Sequence, residues 1–249
     1  MITSAEPVLV TEGIRKSFGE KTVIDNISIR LYRNELVCLL GQSGAGKTTL
    51  FNVISGLYQP DAGRVLLSGE DVTGRPGQIS YMLQKDLLLP YRTVLGNVAL
   101  PLIIRGVPGK KARAEASALF EKFGLAGCQK KYPAQLSGGM CQRAALLRTY
   151  LASRGIALLD EPFSALDALT KAKMHRWYLD VMQEIELSTL FITHDIDEAI
   201  LLSDRIYIMG SKPGTITDEI TVDVPRGERT GFDLTEDFLH YKQLLVSLL

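Results

Sequence analysis

The residue types best suited to chemistry in this chain are gathered in Gly41-Gln42-Ser43-Gly44-Ala45-Gly46-Lys47-Thr48-Thr49. Glycines at three of these positions let the backbone curl so that successive N–H groups face a single anion. Lys47 reaches the terminal phosphates of a nucleoside triphosphate, and the Thr48 hydroxyl suits the Mg²⁺ that accompanies them. The stretch follows the apolar run Leu36-Val37-Cys38-Leu39-Leu40 and leads into Leu50-Phe51-Asn52-Val53-Ile54. Strand, glycine-rich loop and helix in that order separate a phosphate-binding P-loop from an ordinary glycine turn. A helix opening near Gly46 adds the positive end of its dipole.

Three further groups fit the same chemistry. Asp160-Glu161 ends the apolar run Ile156-Ala157-Leu158-Leu159, and the carboxyl ends of strands in open α/β sheets are where ligands bind. Asp160 suits Mg²⁺ held through water, and Glu161 suits orienting or deprotonating an attacking water. Read without the P-loop, the pair would equally well cap a helix with Pro162 in its first turn. Leu136-Ser137-Gly138-Gly139-Met140 is the second glycine-bearing stretch. Ser137 is a good N-cap, and the glycines behind it expose backbone N–H groups to an anion. His194 directly follows the apolar Phe191-Ile192-Thr193 and is placed on the ligand edge. His175 and His240 have no such setting and read as surface or packing residues.

The elements that must carry these groups follow from hydropathy periods. Residues 8–18 and 23–31 alternate apolar and polar side chains around Gly19-Glu20-Lys21, which predicts two antiparallel strands and a turn. Turn signals at Pro60-Asp61-Ala62-Gly63 and Ser68-Gly69-Glu70-Asp71 bracket a strand over residues 64–67. Residues 79–83 form a buried strand ending at Gln84. From Val94 to Thr149 the pattern is helical, and apolar strands resume at residues 156–160, 190–193 and 205–209, with a helix over 195–203.

Composition narrows the class. At 249 residues the chain holds one large α/β domain or a domain with an insert. Lys+Arg and Asp+Glu both total 28, so no charge excess suggests nucleic acid or an anionic membrane as partner. Three cysteines without metal spacing suit a reducing compartment. Residues 1–7 lack a signal-peptide pattern, and no apolar run reaches the roughly 18 residues of a membrane span. The expectation is a soluble, cytoplasmic protein, which leaves docking on a membrane partner open.

Taken in order, the P-loop, Gln84, Leu136 to Gly139, Leu158 to Pro162, Ser164-Ala165-Leu166-Asp167 and Thr193-His194-Asp195 resemble the nucleotide-binding domain of an ATP-binding-cassette (ABC) transporter over nearly the whole chain. The resemblance implies an α/β P-loop NTPase core of RecA-like type, with an N-terminal antiparallel β part and an inserted α-helical subdomain. Residues 1–86 and 154–249 would form the core and residues 87–153 the helical part. It implies ATP and Mg²⁺, the metal at Thr48, Gln84 and Asp160. It also implies a head-to-tail dimer in which each ATP lies between the P-loop of one copy and Ser137, Gly138 and Gly139 of the other. Phe18 would stack on adenine, Glu161 would be the base, His194 would contact the γ-phosphate, and Asp167 would communicate across the dimer.

Leu87-Leu88-Leu89-Pro90-Tyr91-Arg92 has the composition of an exposed docking patch for membrane subunits, with a solute-binding protein as an indirect partner. Residues 89–98 and Lys212-Pro213-Gly214 resemble importers of the nitrate, sulfonate and taurine type, which includes thiamine-precursor systems. Tyr91, Gly96, Lys212 and Cys141 depart from that group's usual residues. A soluble ABC ATPase acting on DNA or the ribosome is the competing reading. Such relatives usually carry two cassettes or a coiled-coil insert, whereas this sequence has one P-loop. A P-loop kinase would leave Leu136 to Gly139 and His194 without a purpose.

Overall fold

A computed structural model describes residues 6–210 and 212–249. The segment read for a signal sequence lies outside the described residues up to residue 5. From the N-terminus, β1 (Leu9–Phe18), β2 (Lys21–Ile27) and β3 (Arg30–Leu31) precede β4 (Leu36–Gly41), the P-loop and helix α1 (Lys47–Ile54). Next come β5 (Ala62–Leu67), β6 (Glu70–Asp71) and β7 (Ser80–Met82). Helices α2 (Val94–Val98), α3 (Leu100–Ile104), α4 (Gly109–Ala118) and α5 (Gly138–Ala152) follow. An alternating run then returns through β8 (Ile156–Asp160), α6 (Ala168–Glu184), β9 (Ser188–Thr193), α7 (Ile196–Leu202) and β10 (Arg205–Met209). Finally β11 (Ile216–Thr221) and α8 (Glu236–Leu248) close the described chain.

Two sheets result. The antiparallel one has the order β2-β1-β5-β6, with β3 also on β1, and the other runs β11-β10-β4-β9-β8-β7. In the second sheet β7, β8, β9, β4 and β10 are parallel, and β11 is antiparallel to β10. β4 and β8 are buried throughout, as strands covered on both faces must be. Period-two alternation sends Leu36, Cys38 and Leu40 to one core and Val37 and Leu39 to the other. The first core receives the helical part and α6 to α8; the second holds α1 between the two sheets through Leu50, Phe51, Val53 and Ile54. With β4, β8 and β9 parallel, their carboxyl ends carry the P-loop, Asp160 and His194 to one sheet edge.

The structure refines the sequence reading in four places. Residues 23–31 are not one strand: β2 ends at Ile27, beyond Asn26 in the left-handed region (φ 49°), and β3 is separate. Glu70-Asp71, read as turn, pairs with Leu66-Leu67 as a short strand. Pro162 does not open a helix. Asp167 caps α6 by accepting a bond from Thr170 N, which leaves Asp160 and Glu161 free of the capping role. The edge strand β11 and helix α8 had no counterpart in the periodicity.

Candidate nucleotide site

Helix α1 starts without a side-chain cap and without an acidic residue in its first turn, so its leading N–H groups remain for an anion. Gly46 precedes it at φ 102°, and a Cβ there would lie 2.6 Å from Ile24 Cγ2. Only glycine meets both constraints. The Lys47 ammonium folds back over the loop, donating to the carbonyls of Gly41 (2.6 Å) and Gln42 (2.9 Å). That uses two of its three protons and leaves one for a ligand. Burial pushes the Lys47 pKa down, against the charges of Glu161 and Asp160.

Behind the loop, Asp160 Oδ2 accepts from Thr48 Oγ1 (3.1 Å) and from Tyr81 OH (3.2 Å). Burial pushes the Asp160 carboxyl up despite those two bonds, and pushes the Tyr81 hydroxyl up as well, so Tyr81 stays a donor. A buried ammonium and a buried carboxyl, each displaced toward neutrality, describe a site that incoming phosphate charge and a cation would relieve. The donors nearby are hard oxygens: the Thr48 hydroxyl, the Asp160 carboxylate and the Gln84 amide. Among the described residues no three His, Cys, Asp or Glu converge as a metal cage. This set fits Mg²⁺, which takes one or two protein oxygens and completes its shell with phosphate and water.

Glu161 faces the P-loop from the opposite wall. Its carboxylate accepts from Gln84 Nε2 at Oε2 (3.0 Å), and His194 Nδ1 lies 3.0 Å from Oε1. The Glu161 backbone is left-handed, φ 46°, a conformation costing roughly 1–2 kcal/mol for a residue with a Cβ. Bonds from Glu161 N to the Ile192 carbonyl and from Ser164 N and Oγ to the Glu161 carbonyl hold it there. The strain aims the carboxylate into an open cleft of about 440 Å³ between the P-loop residues Ser43, Gly44 and Gly46 to Thr49 and the group Gln84, Glu161 and His194.

Other expected residues stand elsewhere. Phe18 ends β1 and is 47% exposed. It packs edge-on against Tyr58 (centroids 5.6 Å apart) beside Lys16, and does not line the cleft. Ser137 caps α5 as expected, accepting from Met140 N (3.4 Å), yet Ser137, Gly138 and Gly139 are also absent from the cleft wall. The docking patch divides. Tyr91 and Leu87 are exposed at 74% and 52%, whereas Leu88 is a core residue at 7%. The run is a loop, so its leucines point in different directions instead of forming one face.

Sequence reasoning missed three supports. Tyr81 was read only as strand. Gly214 passes under the P-loop so closely that a Cβ would lie 2.1 Å from the Ala45 carbonyl. His175 is buried beside Glu198, whose carboxylate accepts from Thr193 Oγ1 and meets Lys171 Nζ at 2.6 Å. Lys171 also pairs with Asp195 at 2.6 Å. This cluster ties the start of α6 to the turn bearing His194. An i, i+4 spacing of Lys171 and His175 was the available signal.

Comparison with known proteins agrees with this geometry. The family model described as ABC transporter matches residues 24–164, more than half of the chain. The chain belongs to the ABC transporter family. It is therefore an ATPase, with ATP as substrate. It is 44% identical to the formylaminopyrimidine import ATP-binding protein ThiZ of Halalkalibacterium halodurans, over 86% of this chain and 83% of that one. It is 37% identical to the nitrate import ATP-binding protein NrtD of Synechocystis, over 93% and 89%. Among solved structures, the dimeric bacterial ABC transporter cassette MJ0796 superposes with a TM-score of 0.73 at 27% identity, covering 87% of this chain and all of that one. The RecA-like fold with its antiparallel β part and inserted helices is that of the family. Among the described residues no helix is long and apolar enough to cross a membrane.

Proposed function

We propose that this chain is the ATP-hydrolysing subunit of an importer of the nitrate, sulfonate, taurine or thiamine-precursor type. It works at the cytoplasmic face as a head-to-tail pair beneath separate membrane subunits, fed indirectly by a solute-binding protein. The observation that carries the reading is the Glu161 carboxylate, strained into the P-loop cleft and held between Gln84 and His194. The names of the relatives support import, and the dimeric cassette supports pairing. The relatives' solutes differ, so the solute class rests on the membrane partner and not on this subunit.

In this reading the P-loop amides and Lys47 bind the phosphates, and Phe18 stacks on the adenine. Glu161 takes the proton of the attacking water, and His194 orients the γ-phosphate. Thr48 and Asp160, with Gln84 beside them, would hold Mg²⁺, which would supply charge neutralisation at the phosphates. Ser137, Gly138 and Gly139 serve the ATP of the second copy. Glu161→Gln keeps the shape but accepts no proton, so hydrolysis should fall by about a hundredfold or more while ATP still binds. A sizing column should then show a stable ATP-bound pair. A variant that stays monomeric in saturating ATP and still turns over would refute both the base and the sandwich.

The membrane subunits meet the loop through Leu87 and Tyr91, with Leu88 beneath as its anchor. Tyr91→Ser should leave folding stability within ~0.5 kcal/mol of the parent and disrupt capture by the membrane subunits. Leu88→Ser should instead cost roughly 2–5 kcal/mol of stability, through a cavity and a buried hydroxyl. Intact capture by Tyr91→Ser would move the docking surface elsewhere.

A further inference from the structure

Arg148 lies on α5, about three turns beyond Ser137, and the functional reading above leaves it unused. Its guanidinium is half-buried and spends its two terminal nitrogens on backbone. Nη1 donates to the Leu87 carbonyl (2.8 Å) and Nη2 to the Asp86 carbonyl (2.5 Å). The Asp86 carboxylate is turned to its own loop, accepting from Leu88 N at 3.0 Å. A desolvated cation given to carbonyls is an expensive way to gain stability. A planar fork on two successive carbonyls is, however, an effective way to fix a backbone. The backbone needs fixing, because Leu87 is left-handed at φ 45° and such residues persist only where their surroundings hold them.

The rest of the loop has its own anchors. Buried Asn97 accepts from Leu89 N and holds its amide nitrogen within reach of the carbonyls of Leu89, Arg92 and Thr93, between which its two protons are shared, and Leu88 is in the core. Arg148 therefore controls the near half of the loop. That half begins at Gln84, whose amide reaches Glu161 at 3.0 Å.

We propose that Arg148 is a positioning residue for Gln84, tying the Gln84 loop to the helix that begins at Ser137 and thereby setting the Gln84–Glu161 contact. This rests on the roles given above to Gln84 and Glu161. It supplies a mechanical link between a subunit's Ser137 end, which serves one ATP, and its Glu161, which serves the other.

Steady-state ATP hydrolysis by the purified chain tests it, using Arg148→Lys, Gln84→Ala and the double variant, with thermal melting of each. Arg148→Lys keeps the charge but loses the fork. It should lower kcat about tenfold and leave KM for ATP within about twofold. In the Gln84→Ala background the same change should cost nothing further, because Arg148 acts through that side chain. Arg148→Met, which keeps the stem and removes the donors, should show the same dependence. Equal losses in both backgrounds, with Gln84→Ala itself impaired, would overturn this proposal alone. Full activity of Gln84→Ala would remove the role of Gln84 and the proposal with it. Unchanged kcat in Arg148→Lys, or failure of both Arg148 variants to fold, would likewise overturn it.

Discussion

The two glycine-bearing helix starts of this chain look alike in sequence and differ in what surrounds them. At α1 the terminus is uncapped and begins with Lys47, and Asp160, Glu161, His194 and Gln84 converge on it from the ends of β8 and β9 and the loop after β7. At α5 the Ser137 hydroxyl takes up the N–H of Met140 alone, and the residues of the hydrolytic cleft are elsewhere. The first can bind a phosphate and act on it. The second offers backbone N–H groups to a phosphate but has no base beside it to act on one. Under the proposed function one chain thus carries a nearly complete hydrolytic site and a detached fragment of another, which makes pairing of two copies a chemical requirement of that proposal.

The sharpest way to break that contrast is to damage the complete half. Lys47→Ala removes the cation nearest the terminal phosphates and should reduce ATP hydrolysis by at least about a hundredfold. Near-normal turnover in the purified variant would show that α1 is not the reactive terminus.

A smaller effect tests the detached half. Ser137→Arg places a bulky side chain where the partner's nucleotide would sit, and it should be inactive alone, as Lys47→Ala is. In an equal mixture, half of the pairs would be mixed, each with one undamaged composite site, so about a quarter of wild-type activity should return. A mixture no more active than its components would mean that Ser137 does not complete the site of a second copy.

The smallest effect concerns the outlying Phe18. If its exposed ring stacks on the base, Phe18→Ala should cost ~1 kcal/mol of ATP binding, read as a severalfold rise in KM. Its melting temperature should hold, since the ring is at the surface. An unchanged KM would leave Phe18 as a partner of Tyr58 alone.

How much of this was legible beforehand depended on the range of the signal. Local patterns are written along the chain: strand, glycine loop, Lys-Thr and helix at residues 36–54; the apolar run ending in Asp160-Glu161; and Ser137 ahead of its glycines. Each follows from backbone sterics, capping or period-two burial within a few residues, and the structure places these elements as read. Leu88 shows where composition stops being informative. Adjacent leucines in a loop divided between core and surface by backbone turns that no hydropathy period records.

The sequence by itself determined the phosphate-binding chemistry and the succession of strands and helices, because both depend on neighbouring residues. Only the tertiary structure decided which distant groups meet. Parallel pairing of β4, β9 and β8 set His194 and Glu161 facing the P-loop, Tyr81 came onto Asp160, Gly214 slid beneath Ala45, and Arg148 took hold of Asp86 and Leu87. Those contacts join residues tens to more than a hundred positions apart. They are chosen by how the two cores pack, and a one-dimensional pattern carries no record of that choice.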